Sequence, residues 1–253
     1  MGAPLASMRR LFEPLFDLCT IVTWDMRGFN RSAAPRDPEA FAVEHHVADL
    51  EAVVRAAGLS RFVLGGWSMG VPISLEHYAR SPSAVEGLVL INGPYEAALV
   101  GPLALPALAD AVVLAAERIG GPLGRLLNPL SRSILGRRAV ADALVRAGLF
   151  AQNADYFHEI LDEFRHVDWS RYFTVMRRLH EHSAAAHLPA IAVPTLITAG
   201  SRDRMTPPST ARRMHALIPG SELLVVEGGT HYTPAEYPEL LAARIRRFFA
   251  ERL

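Results

Sequence analysis

Five short apolar runs rich in β-branched residues punctuate the chain, at 20–24, 62–65, 87–91, 195–199 and 222–226. Runs of this length without polar interruption mark strands buried on both faces, as in a parallel sheet. Between them the apolar residues return at helical spacing, over 8–18, 38–57, 69–80, 208–218 and 236–252. Strand alternating with helix predicts an α/β fold built on a doubly wound, mostly parallel sheet, whose ligand crevice opens at the carboxyl ends of the strands. Residues 95–190 break the alternation. They carry no strand pattern and helical patterns at 103–119, 137–149 and 155–164, punctuated by Gly101-Pro102, Gly120-Gly121-Pro122 and Asn128-Pro129. The predicted organisation is a core made of 1–94 and 191–253, with a helical cap, 95–190, inserted after the third run. Apolar cap positions such as Val112, Leu126, Leu127 and Leu144 are expected to hold the cap to the core, a few of them lining an apolar pocket.

The second run leads directly into Gly66-Trp67-Ser68-Met69-Gly70 and then into a helical pattern. A G-x-S-x-G sequence between strand and helix is a nucleophile elbow, a sharp turn that projects the serine hydroxyl from the sheet edge. Gly66 and Gly70 are both expected to relieve steric contact there. A serine hydroxyl is a weak nucleophile until a base takes its proton, and the base works best when a carboxylate fixes its tautomer. Asp203 follows the 195–199 run and His231 follows the 222–226 run, so all three groups fall at the carboxyl ends of predicted strands.

Taken together, Asp25-Met26-Arg27-Gly28-Phe29-Asn30-Arg31-Ser32, the elbow, Gly200 through Pro207, and His231 with Pro234, Glu236 and Pro238 after it give the chain its resemblance. It resembles the α/β-hydrolase superfamily, specifically capped members that include esterases, lactonases, C–C bond hydrolases and cofactor-free haloperoxidases. The chain order Ser, Asp, His is that of this fold. The resemblance implies Ser68 as nucleophile, His231 as general base and then acid, and Asp203 as the carboxylate that orients the imidazole. It also implies one oxyanion donor at the Met69 N–H and a second near Gly2. Trp67, next to the nucleophile, is a candidate substrate-binding residue whose alternative is packing against the sheet. Neither a metal nor an organic cofactor is implied. The reaction expected is transfer of an acyl group to water from an uncharged, largely apolar ester, thioester or lactone, with activity falling as the imidazole is protonated. Haloalkane dehalogenation and epoxide hydrolysis are disfavoured, because those relatives place aspartate where Ser68 stands; perhydrolysis and C–C bond hydrolysis stay open. The alternative from another class is a non-catalytic ligand-binding or interaction protein, or an inactive truncated fragment, on the same fold. Relatives also carry about three further strands before the helix at 8–18. One of them lies between the strands matching 20–24 and 62–65, so the expectation is a gap between those two runs or their direct pairing, with a start further upstream or a shortened variant as the explanation.

Charge narrows the partners to small molecules. Lys and Arg number 26 against 26 Asp and Glu, which gives no global field for nucleic acid or an anionic membrane. Cys19 is the only cysteine, which excludes an intramolecular disulfide and a Cys-based zinc site. No apolar run reaches the ~18 residues of a spanning helix, and Glu13, Pro14 and Asp17 interrupt the stretch after Arg9-Arg10, so a soluble cytoplasmic protein is expected. His45-His46 and His180-Glu181-His182 lack the spacing that stacks two imidazoles on one helical face and are read as solvated. Gly65 through Gly70 lacks the Lys-Ser/Thr pair of a phosphate loop. Arg202 and Arg204 are read as solvent-facing, and Asp25 and Arg27 as braces for the loops around the crevice.

Overall fold

The buried apolar runs pair as four parallel strands, β1 (Phe62–Trp67), β2 (Val85–Ile91), β3 (Thr195–Gly200) and β4 (Glu222–Val226), which lie side by side in sequence order. The structure is a computed structural model that describes residues 5–98, 106–147, 157–158, 161–162 and 165–253. Every residue of β3 is buried, as expected of a strand covered on both faces. The helices are α1 (Leu5–Phe12), α2 (Val43–Ala56), α3 (Gly70–Arg80), α4 (Pro106–Ile134), α5 (Arg138–Arg146), α6 (Trp169–Glu181), α7 (Pro208–Leu217), α8 (Thr233–Glu236) and α9 (Pro238–Arg252).

Side chains that alternate along β2 and β3 build two separate cores. Leu88, Leu90 and Ile197 point to one face, where Val47 and Leu50 of α2, Leu75 of α3 and Met214 of α7 cover them. Val89, Ile91 and Leu196 point to the other, against Leu11 of α1 and Leu241, Ile245 and Phe248 of α9. The sheet is therefore wound on both sides, and its carboxyl edge is left for loops.

One predicted strand does not form. Residues 20–24 form no sheet ladder among the described residues, and there β1 pairs with β2 alone. Ile21 and Trp24 still pack partly onto opposite cores, so the stretch keeps the side-chain alternation of a strand. Its backbone lacks a neighbour at ladder distance, and without one there is no strand. The two runs do not pair with each other: a largely apolar groove of about 550 Å³ separates them, with Leu11, Ile21, Trp24, Leu50, Val63 and Gly65 among its walls.

The helical region departs from expectation in three places. α4 continues through Gly120-Gly121-Pro122 and Asn128-Pro129, whose composition predicts helix ends. Pro122 and Pro129 lie on the exposed face, where carbonyls released by each ring can meet water. α4 is also held to α6 by close packing: a Cβ on Gly124 would stand 2.2 Å from the Ser170 amide nitrogen. α6 itself carries no expectation from the hydrophobic pattern. Of the apolar cap positions, Leu144 packs in a small cluster with Phe157 and Leu161, whereas Leu126 is 67% exposed; the side chains of Val112 and most of 155–164 lie outside the described residues.

Histidines expected to be solvated are partly buried. His46 is fully enclosed on α2; His180 is buried, and His182 approaches the Glu76 carboxylate at 3.5 Å. His45, next to His46, is exposed as expected. Burial, reinforced by the nearby Arg27 charge and only partly offset by Asp49, pushes the His46 imidazole down to about 4. Between that value and the ordinary 6.5, the unfolded chain binds a proton that the folded chain refuses, so stability falls as pH drops through this window. At pH 5 the expected loss is about 2 kcal/mol relative to pH 7.5. Urea unfolding of the parent and of His46→Leu at both pH values checks this, the substitution being expected to remove most of the difference.

Candidate active site

Between β1 and α3 the chain reverses through Ser68, which adopts φ +55°, a left-handed conformation costly for a residue with a Cβ. The turn is locked on both sides: the Ser68 N–H donates to the Ile91 carbonyl at 2.9 Å, and the Ser68 carbonyl accepts from the Val71 N–H at 3.0 Å. Glycine is required at one of the two positions expected. A Cβ on Gly66 would sit 2.3 Å from the Gly70 carbonyl, whereas a Cβ on Gly70 would meet nothing within 4 Å. The second steric requirement is at Gly93, where a Cβ would fall 2.4 Å from the Ser68 carbonyl oxygen. These contacts fix the hydroxyl at the carboxyl edge of the sheet.

His231 arrives on the loop after β4 and is held from several directions. Glu236 of α8 accepts from the Thr230 N–H at 2.7 Å and from its hydroxyl at 2.8 Å, and the Trp67 indole N–H donates to the His231 carbonyl at 3.0 Å. Gly200 lets the loops after β3 and β4 touch, since a Cβ there would lie 2.3 Å from the Gly229 carbonyl. The imidazole bridges the two other groups, with Nε2 2.9 Å from Ser68 Oγ and Nδ1 3.0 Å from Asp203 Oδ2. Ser68, Asp203 and His231 are thus brought together as the sequence predicts.

The Asp203 carboxylate is buried, and donors surround it. Oδ1 accepts the N–H groups of Met205 and Thr206, each at 2.8 Å; Oδ2 accepts the Thr206 hydroxyl at 2.8 Å and the Asn92 amide at 3.0 Å. Burial alone would push this carboxyl up. The hydrogen bond and charge of His231, the Thr206 N–H and the Asn92 amide together outweigh it and hold the group below its usual range. A charged Asp203 keeps the proton of a neutral His231 on Nδ1, leaving Nε2 free to accept the Ser68 proton. Arg202 and Arg204 are exposed and take no part in these contacts.

Two of the residues that complete this network carry no expectation from the sequence. Asn92, at φ +43° just past β2, also donates to the Thr230 carbonyl at 3.1 Å and accepts from the Thr233 hydroxyl at 2.5 Å. Thr206 places its hydroxyl against both Asp203 and His231 Nδ1. The signal for Asn92 is its place in Asn92-Gly93 directly after an apolar run, the position that Ser68, Asp203 and His231 occupy after theirs. Arg27 is a brace: it forks onto Asp49 at 2.7 Å through two nitrogens and donates to the carbonyls of Ala40 and His45. Asp25 likewise closes its own turn through Asn30 and the Arg31 N–H.

Above Ser68 lies a chamber of about 60 Å³. Trp67, Pro94, Ala98 and Met205 form part of its wall, and α6 supplies Tyr172, Met176 and Leu179, spaced as one helical stripe. The Met69 amide sits at the amino-terminal end of α3, where helical geometry leaves N–H groups without carbonyl partners. Its side chain, 1% exposed, belongs to the core and not to the chamber. Gly2 lies outside the described residues. Among the described residues no helix is long and apolar enough to cross a membrane, and no three His, Cys, Asp or Glu side chains converge as a metal site.

Comparison with known proteins matches residues 5–237 to a family described as alpha/beta hydrolase fold. The proposed carbamate hydrolase RutD of Klebsiella pneumoniae (strain 342) is 28% identical over 222 residues, covering 83% of this chain and 74% of its own. Among solved structures, a bromoperoxidase from Bacillus anthracis superposes with a TM-score of 0.77 at 18% identity, over 98% of this chain and 88% of that one. An enol-lactonase from Burkholderia xenovorans LB400 gives 0.73 at 22%, over 99% and 88%. At these identities the structural likeness speaks for the fold.

Local sterics separate two glycines that the motif treats alike. Gly66→Ala is expected to destabilise by about 1–3 kcal/mol through overpacking. Gly70→Ala, with open space for its Cβ at the start of α3, should leave stability unchanged to within about 1 kcal/mol. Urea unfolding midpoints of the two variants test the contrast.

Proposed function

The chain belongs to the α/β-hydrolase family, and from that premise we propose that it is a serine hydrolase acting on a small uncharged ester, thioester or lactone through an acyl-enzyme. The observation that carries this reading is the unbroken relay from Asp203 through His231 to the Ser68 hydroxyl, at 3.0 and 2.9 Å. A protein that only bound a ligand would have no use for a base aimed at a strained serine.

In the proposed cycle Ser68 Oγ attacks the carbonyl carbon while its proton passes to His231 Nε2. The oxyanion that forms takes a hydrogen bond from the Met69 N–H. His231 returns the proton to the departing alkoxide, thiolate or, in a lactone, the tethered alcohol, and the C–O or C–S bond breaks. Water then attacks the acyl-enzyme while His231 takes its proton, and His231 returns that proton to Ser68 Oγ as the acyl C–O bond breaks and the acid leaves. Asp203 stays ionised throughout and stabilises the imidazolium that forms in each half. Residues 95–190 act as a cap in this reading, with α6 closing the chamber over the nucleophile.

A fluorophosphonate probe is expected to label the folded chain at Ser68, and Ser68→Ala and His231→Ala should abolish labelling and lower ester turnover by at least ~10⁴. Intact-mass spectrometry reads the adduct. A folded sample that stays unlabelled would favour the non-catalytic alternative. Chamber size sets a second expectation. At about 60 Å³ it has room for roughly four or five small groups. Across 4-nitrophenyl esters, kcat/KM should peak between acetate and butyrate and fall by about tenfold or more at octanoate; a steady rise to octanoate would contradict the assigned chamber.

A further inference from the structure

A single side chain joins the loops after β2, β3 and β4, and it takes no place in the chamber wall. Asn92 is 2% exposed and lies behind the Asp203 carboxylate, away from the lining above Ser68. Its amide nitrogen directs two N–H groups to two different partners. One donates to Asp203 Oδ2 at 3.0 Å, the other to the carbonyl of Thr230, directly before His231, at 3.1 Å. The amide oxygen accepts the Thr233 hydroxyl at 2.5 Å. Both partners of the nitrogen can only accept, so the amide has one satisfied orientation.

Backbone shape serves these contacts. Asn92 adopts φ +43°, a left-handed conformation that asparagine tolerates better than most residues, and its own N–H donates to the Thr198 carbonyl at 2.9 Å. A backbone outlier held this firmly is a pointer to a role. The two carboxylate oxygens of Asp203 are served differently. Oδ1 takes the N–H groups of Met205 and Thr206, whereas Oδ2, the oxygen facing His231 Nδ1, also takes Asn92 and the Thr206 hydroxyl. A neutral donor on Oδ2 draws charge from the very atom that would stabilise an imidazolium, and so makes His231 a weaker base. Other ionisable groups surround the imidazole. The Tyr232 and Tyr172 phenols are kept protonated by burial, Glu236 is engaged by Thr230, and Arg202 and Arg204 are exposed. Asn92 differs from all of these in reaching Oδ2 itself.

We propose that Asn92 is a positioning residue that tunes the base: one nitrogen holds Asp203 Oδ2 and the Thr230 carbonyl at a fixed separation, and its bond to Oδ2 limits the proton affinity of His231. This role rests on the serine-hydrolase reading for its catalytic meaning and adds to it the control of the general base. Without the amide, Oδ2 keeps more charge for an imidazolium, and His231 holds its proton to higher pH. A protonated imidazole cannot take the Ser68 proton, so the acid limb of the pH–rate profile moves up with it. A residue that merely filled space would lower the plateau and leave the limb in place.

The test compares the parent chain with Asn92→Leu, which keeps the branching of asparagine and has no donor. For 4-nitrophenyl butyrate, the acid limb of kcat/KM is expected about 0.5–1 pH unit higher in the variant, an added loss of about three- to tenfold below the limb that the plateau does not share. Titration of the His231 ring by NMR, assigned against His231→Ala, reads the same shift without turnover. A limb and ring titration that stay within about 0.2 unit of the parent, or move down, overturn the assignment. Should Asn92→Leu fail to fold, the parent decides. There the Asn92 Nδ2 resonance is expected to titrate with the same midpoint as the His231 ring, and a resonance that ignores that titration overturns the assignment. The two readings fail separately. A ring titration that shifts as expected in a chain that neither turns over esters nor takes a fluorophosphonate sinks the hydrolase reading and leaves the control of His231 by Asn92 standing; turnover with an unmoved limb does the reverse.

Discussion

Keeping a carboxylate charged inside the protein is the constraint around which this crevice is arranged. An unpaired buried charge is far too costly to persist, and removing a single partner from a buried pair typically costs several kcal/mol. Asp203 therefore needs donors, and it draws them from the ends of several strands: Asn92 past β2, Met205 and Thr206 past β3, His231 past β4. Thr233, at the start of α8, orients Asn92 in turn. Each donor that satisfies the carboxylate also ties one more loop to the others. Ser68 joins the assembly last, through the imidazole.

The two-core sheet explains how loops so far apart in sequence meet with such economy. Parallel strands in sequence order leave all four carboxyl ends on one edge, and the alternation along β2 and β3 commits both faces to helices. What remains for the loops is the edge itself, where glycine at positions 66, 93 and 200 lets backbones approach each other more closely than any side chain would permit. The strain at Ser68 persists because those contacts leave it no alternative.

Much of this is legible in the residues, and the failures have physical causes. The runs that form β1 to β4 are continuous and apolar because both faces of the sheet are covered, and they announce themselves. Ser68, Asp203 and His231 can be picked out because each follows such a run. Residues 20–24 have the same composition yet no ladder, since strand formation depends on a neighbour that local pattern cannot report. Gly70 looks as constrained as Gly66 because a motif records residue types, whereas the clash belongs to a pair of atoms. The prolines of α4 read as stops; tertiary packing on α6 carries the helix past them. Asn92 and Thr206 are short polar residues of the kind that fill ordinary turns, and only the charge they serve distinguishes them. His46 shows the converse, a polar residue drawn inward by its apolar neighbours on α2.

The carboxyl-terminal half of α6 is pinned by guanidinium groups: Arg177 and Arg178 share Glu39, whose side chain stands 64% exposed at the water boundary. Contacts of that sort weaken as mobile ions accumulate around them, while the apolar stripe beneath does not. Added salt would therefore loosen the pins of α6 well before it loosened the stripe of Tyr172, Met176 and Leu179 that lies over the nucleophile.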